Sequence, residues 1–144
     1  MEEEIIMKYN IGKRKKIRIF GKNFVKNNYE NCEVIINNTK KELAEYYNRI
    51  GNEEEIEIKL IINKRIIDIS NIFSGCKYLI TILNLNKLDI SNVKNMSGIF
   101  SRCKMLEKIS DISKWNTSNV TNMRSMFSNC QYLCSLPDIS KWNT

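Results

Sequence analysis

Three cysteines set the register of this chain: Cys76, Cys103 and Cys130 are separated by 103 − 76 = 27 and 130 − 103 = 27 residues. Phe73, Phe100 and Phe127 keep the same offset, as do Leu79, Leu106 and Leu133, and the phrase DISKWNT at 111–117 recurs at 138–144. A unit of this size cannot bury its apolar side alone, so consecutive copies must stack and share one core. The period therefore predicts a solenoid over 66–144, divided as 66–92, 93–119 and 120–144, with the first unit degenerate.

Within a unit, Val93, Met96, Phe100, Cys103 and Leu106 step by three or four residues, the spacing of one helical stripe. Val120, Met123, Phe127, Cys130 and Leu133 repeat it. Ser91-Asn92 and Ser118-Asn119 precede the two stripes, where short polar side chains cap helix starts. The Leu106-x-x-Ile109-x-x-Ile112 segment that follows is too short for a second helix and reads as a strand. The expected fold class is thus α/β: a leucine-rich-repeat-like solenoid of about three strand-plus-helix units. Pro137, lacking an amide proton, should lie at a strand start or outside its ladder.

Residues 1–63 read differently. The segments 4–11, 16–20, 33–37 and 55–62 are rich in isoleucine and valine, and three of them alternate polar with apolar, so they are expected to be strands. A short helix is expected over 40–48. Together they predict a small β-rich α+β cap whose last strand leads into the first repeat and shields its edge.

The phrases MFSNCQYLCSLPDISKWNT at 126–144 and TSNVTNM at 117–123 resemble the BspA-like leucine-rich repeat family of bacterial and protist surface proteins. The resemblance spans roughly Ile66 to Thr144 and rests on the F-x-x-C-x-x-L spacing, the DISKWNT segment and the SNVTNM start. It implies a solenoid used for adhesion or protein contact, without enzymatic activity.

Function classes narrow further by composition. The formal charge of +7 is spread over the chain, and the densest basic cluster is Lys13-Arg14-Lys15-Lys16-Ile17-Arg18. Such a cluster serves nucleic acid, an anionic surface or simply a solvated rim, and Phe20 is the one aromatic beside it, so nucleic acid is the weaker reading. Histidine is absent and the glycines are isolated, so no catalytic residue, metal ligand set or cofactor loop is expected. The in-register thiols read as small core hydrophobes. No apolar run is long enough to cross a membrane, and the acidic start is unlike a signal peptide, so a cytoplasmic location is expected unless a leader or anchor is missing.

A binding module is the expected function, with a partner protein left unnamed. The candidate face is the row Asn84, Asp111, Asp138, its neighbours Asn86, Ser113, Ser140, and the lysines Lys87, Lys114, Lys141. Asp and Ser at such positions also close turns. The alternative is a structural segment of a longer array, or a chain that pairs end to end through an uncapped carboxyl end.

Overall fold

The computed structural model describes residues 3–142, so Asn143 and Thr144, which end the second DISKWNT phrase, lie outside the described residues. Its elements are β1 (Glu3–Asn10), β2 (Lys16–Arg18), α1 (Lys22–Asn28), β3 (Cys32–Ile36), β4 (Thr39–Glu42), β5 (Tyr46–Asn48), β6 (Glu55–Ile62), β7 (Leu79–Leu83) and β8 (Lys108–Ile109), with a 3-10 turn at Leu85–Lys87. Six strands form one mixed sheet in the order β4-β3-β6-β1-β7-β8, and β2 pairs with β5 apart from it.

The amino-terminal strands form where alternation marks them. In β1, Ile5, Met7 and Tyr9 are fully buried, and on the antiparallel β6 Ile56, Ile58 and Leu60 face the same core. The segment at 40–48, expected to be helical, is instead β4 and β5. Lys40 pairs with Ile35 and Tyr47 with Ile17, so cross-strand partners override local helix preference. The α-helix lies earlier, at Lys22–Asn28, where Phe24 and Asn28 fall four apart on its buried face.

The strand-plus-helix solenoid is overturned: among the described residues, α1 is the one α-helix, and no repeat contains any. The apolar stripe is buried all the same. Val93, Met96, Phe100, Cys103 and Leu106 are at most 1% exposed. The backbone between them winds through tight turns, because two residues in every unit sit at positive φ: Asn71, Gly98 and Ser125 at 57°, 63° and 56°, then Gly75, Arg102 and Asn129 at 76°, 60° and 60°. A pair of left-handed residues four apart stops helical hydrogen bonding before it propagates. The amides turn to the neighbouring unit instead: Phe73 N–H donates to Ile99 O and Phe100 N–H to Met126 O, at 3.1 and 2.9 Å. Inward spacing of three and four residues is shared by a helix and by this succession of turns. Ser91 and Ser118 cap no helix either, since their amides donate to Asp89 Oδ1 and Asn116 Oδ1 in local turns.

Side chains align across the units in columns. Phe20 of the amino-terminal part, then Phe73, Phe100 and Phe127, stack ring on ring with centroids 6.3, 6.1 and 5.3 Å apart. Beside them, Cys103 donates its thiol proton to Phe73 O at 3.1 Å and Cys130 to Phe100 O at 3.0 Å. Trp115 and Trp142 form a third column, each indole N–H reaching back to Leu85 O and Ile112 O.

The expected one-strand-per-unit sheet is realised only by β7 and β8, which pair in parallel at Ile82 and Ile109. Ser110 N–H extends that ladder to Ile82 O. One unit later the equivalent residue, 110 + 27 = 137, is Pro137, which has no proton to offer Ile109 O, and no strand forms there. At the other end β1 lies between β6 and β7, so amino-terminal strands and first repeat share one sheet. Gly21 N–H to Ile72 O and Asn28 Nδ2 to Asp68 O complete that junction.

This burial separates the thiols chemically. Burial pushes the Cys32 thiol up to about 12 and raises those of Cys76 and Cys103 as well, whereas Cys134 is exposed. Thiolate is the reactive form. With an excess of a chromogenic disulfide at pH 8, Cys134 should react first and half-buried Cys130 more slowly, while Cys32, Cys76 and Cys103 wait for denaturant. Rapid modification of all five native thiols would contradict this packing.

Candidate functional site

The rows expected to bind are partly committed to the backbone. Asp111 Oδ1 accepts the Ser113 amide at 2.9 Å, and Asp138 Oδ1 accepts the Ser140 amide at 3.0 Å. The Ser113 amide and hydroxyl hold the Asp111 carboxyl below its usual range, and the Ser140 hydroxyl and amide do so for Asp138. These are Asx turns at matching positions of the second and third units. Asn84, their register mate, opens the 3-10 turn at φ 69°, with Asn86 exposed within it. What remains free to project is the row Lys87, Lys114 and Lys141, exposed beside the buried residues Leu88, Trp115 and Trp142.

The same register brings a second outward column together. Tyr78, Met105 and Tyr132 are 27 residues apart, and so are Lys77, Lys104 and Gln131. They follow the in-register cysteines, where the chain leaves one turn for the next. The β1–β2 connection adds Arg14, whose guanidinium carbon lies 3.8 Å above the Tyr78 ring, with Lys77 Nζ 5.5 Å from the same centroid. Together with Glu107 these side chains line an open cavity of about 480 Å³. Burial pushes the Tyr78 phenol up, but Arg14 and Lys77 outweigh it and draw the group below its usual value. Among the described residues Arg14, Lys77 and Lys104 form no ion pair.

The sequence singled out Arg14 as part of a basic cluster, and the fold splits that cluster. Arg14 joins the cleft, whereas Lys16 and Arg18 lie over Tyr46, at 4.4 and 4.5 Å, with Arg18 also paired to Glu45 at 3.2 Å. The Tyr78 column was open to detection at the offset that revealed the cysteines. Arg14 was not, because its approach to Tyr78 depends on how β1 lies against β7.

Hydrogen bonds between units run both ways: Lys94, Met105, Glu107 and Ser110 of the second unit donate amides to the first, whereas the turn segments donate in the opposite direction. In the first unit Ile69, Asn71, Phe73 and Gly75 donate amides to the second, and Met96, Gly98, Phe100 and Arg102 donate to the third. Their counterparts Met123, Ser125, Phe127 and Asn129 find no acceptor for their amides among the described residues. The matching acceptors of the first unit, Asp68 O and Ile72 O, already receive Asn28 and Gly21.

Among the described residues there is no cluster of three or more groups able to hold a metal ion, and no helix is long and apolar enough to cross a membrane. Residues 41–144 match the family described as Mycoplasma protein of unknown function, DUF285. No curated protein and no solved structure matches the chain.

Proposed function

We propose that this chain, which belongs to the DUF285 family over residues 41–144, works as a non-enzymatic protein-interaction or adhesion module. The observation that carries this reading is the cleft at Tyr78, Met105 and Tyr132, flanked by Arg14, Lys77 and Lys104. Tyrosine, arginine and methionine are the side chains enriched where protein surfaces meet. Here Tyr78, Met105 and Tyr132 line the cleft one per repeat and Arg14 joins them from the β1–β2 connection, while the Asp and Ser rows are occupied in turns. The likeness of the F-x-x-C-x-x-L and DISKWNT phrases to BspA-like surface proteins supports the same function. Division of the basic cluster between two tyrosine rings weighs against a continuous nucleic-acid track.

A photoreactive phenylalanine analogue tests the reading when placed at Tyr132, 62% exposed in the cleft, and separately at Tyr29, 49% exposed on the amino-terminal part. Irradiation in extract of the source cells should give discrete adducts from position 132 that protease removes and nuclease does not. Equal adduct yields at both positions, or adducts sensitive to nuclease, would refute it.

A further inference from the structure

We infer that the cleft at Tyr78 takes an acidic peptide segment, one whose aspartates or glutamates alternate with an aromatic or large aliphatic side chain. The inference rests on the protein-interaction reading of the same cleft and names the chemistry of its partner.

Three cations surround the cavity against the single carboxylate of Glu107. None of the three is neutralised by an ion pair among the described residues. Facing charges of one sign attract complementary partners and reject those of like sign. The cations come from three separate segments: Lys77 and Lys104 from consecutive repeats, and Arg14 from the β1–β2 connection. Adjacent paired strands lie about 4.8 Å apart, so the lysines come from chain segments at roughly that spacing where β7 and β8 pair. A spread of single positive charges suits several separate carboxylates. It suits one concentrated phosphate less well, since that would call for convergent backbone amides of the kind found in glycine-rich loops.

The floor and walls supply the other half of the recognition. Tyr132 is largely exposed, Met105 and Tyr78 are half-buried, and the three run in register along the cleft. Arg14 already covers one face of Tyr78, which holds the guanidinium in place before a partner arrives. An apolar side chain from the peptide can then seat between Met105 and Tyr132 while flanking carboxylates reach Lys77, Lys104 and Arg14. The row Lys87, Lys114 and Lys141 lacks this combination, because the aromatic rings beside it, Trp115 and Trp142, are buried and their indoles occupied.

Fluorescence anisotropy with a labelled nonapeptide of three Asp-Glu-Phe triplets tests the inference, beside a counterpart of three Asn-Gln-Phe triplets. The acidic peptide should bind, and its affinity should fall roughly fivefold or more between 50 and 300 mM salt as exposed charges are screened. The double variant Lys77→Glu with Lys104→Glu should weaken binding about tenfold or more, and Tyr132→Ala about fivefold. Lys87→Glu with Lys114→Glu changes the net charge equally and should stay within about twofold. All substituted side chains are exposed, and circular dichroism checks that each variant is folded. If the neutral peptide binds the cleft equally well, the acidic specificity is wrong while the interaction reading survives. If oligouridine or heparin binds there and neither peptide does, both fall. Absence of peptide binding to the folded chain, or equal losses in the two double variants, also overturns the inference.

Discussion

Gly21→Ala is expected to destabilise the chain by about 3 kcal/mol or more, which for a domain of this length corresponds to a fall in Tm of about 10 °C. The cause is proximity. Gly21 has φ −69° and ψ 146°, a conformation any residue adopts, but a Cβ there would lie 1.8 Å from Asn71 O and 3.0 Å from its carbonyl carbon. Both atoms are backbone and cannot rotate away. Asn71 is held by its own amide bond to Ser97 O, and Gly21 by its bond to Ile72 O, each 2.9 Å. Relief of the clash therefore opens the seam between the amino-terminal part and the first repeat. Gly51→Ala supplies the comparison: it is exposed, and its nearest neighbour is a side-chain atom, the far end of Glu53 at 2.8 Å, so it should change stability by no more than about 0.5 kcal/mol. Urea unfolding of both variants decides the matter, and equal midpoints would show that Gly21 does not sit in a tight seam.

The residues at that seam show how far sequence alone could lead. Strands β1, β2, β3 and β6 lie where β-rich segments were expected, three of them marked by alternation, because a half-buried strand leaves a period of two whatever its partners. The repeats left a true record of which side chains face inward and a misleading one of how the backbone carries them. Val93, Met96 and Phe100 enter the core at helical spacing, yet Gly98 and Arg102 hold positive φ and the amides bond sideways to the next unit. Periodicity reports burial, not dihedral angles. The left-handed residues could not be recognised at Arg102 or Ser125, since those types are usually found elsewhere on the conformational map. The small α1 escaped notice because its seven residues hold too few apolar positions to form a visible stripe.

Legibility of the candidate site followed the same division. Asp111 and Asp138 drew attention by recurring, and the structure accounts for the recurrence through the turns they close with Ser113 and Ser140. Recurrence of a polar residue in a stack thus marks a repeated backbone task as readily as a repeated contact with a partner. Tyr78, Met105 and Tyr132 vary in type at one register position, as expected where no turn geometry constrains the side chain. Their union with Arg14 is a long-range event, set by the antiparallel pairing of β1 with β7 and the bulge between Lys8 and Tyr9.

The phenylalanine column yields the second large effect. Phe100→Ala should cost about 3–5 kcal/mol, the range for removing a fully buried aromatic ring. Phe100 is 0% exposed and lies between Phe73 at 6.1 Å and Phe127 at 5.3 Å, so truncation leaves a void with rings on both sides and no solvent path to fill it. Phe127 has one ring neighbour in the column and is half-exposed, so Phe127→Ala should cost only about 1–2 kcal/mol. Phe100→Leu keeps most of the apolar volume and should cost less than Phe100→Ala, about 1.5 kcal/mol. The order is the discriminating result. Stability in a stack is approximately a sum over units and the interfaces between them, so a central ring serves two interfaces and a terminal ring one. Equilibrium urea unfolding with unchanged m-values reads it directly. Equal losses for Phe100→Ala and Phe127→Ala would mean that the rings are not stacked in one continuous column, and the register drawn from the 27-residue period would lose its physical basis.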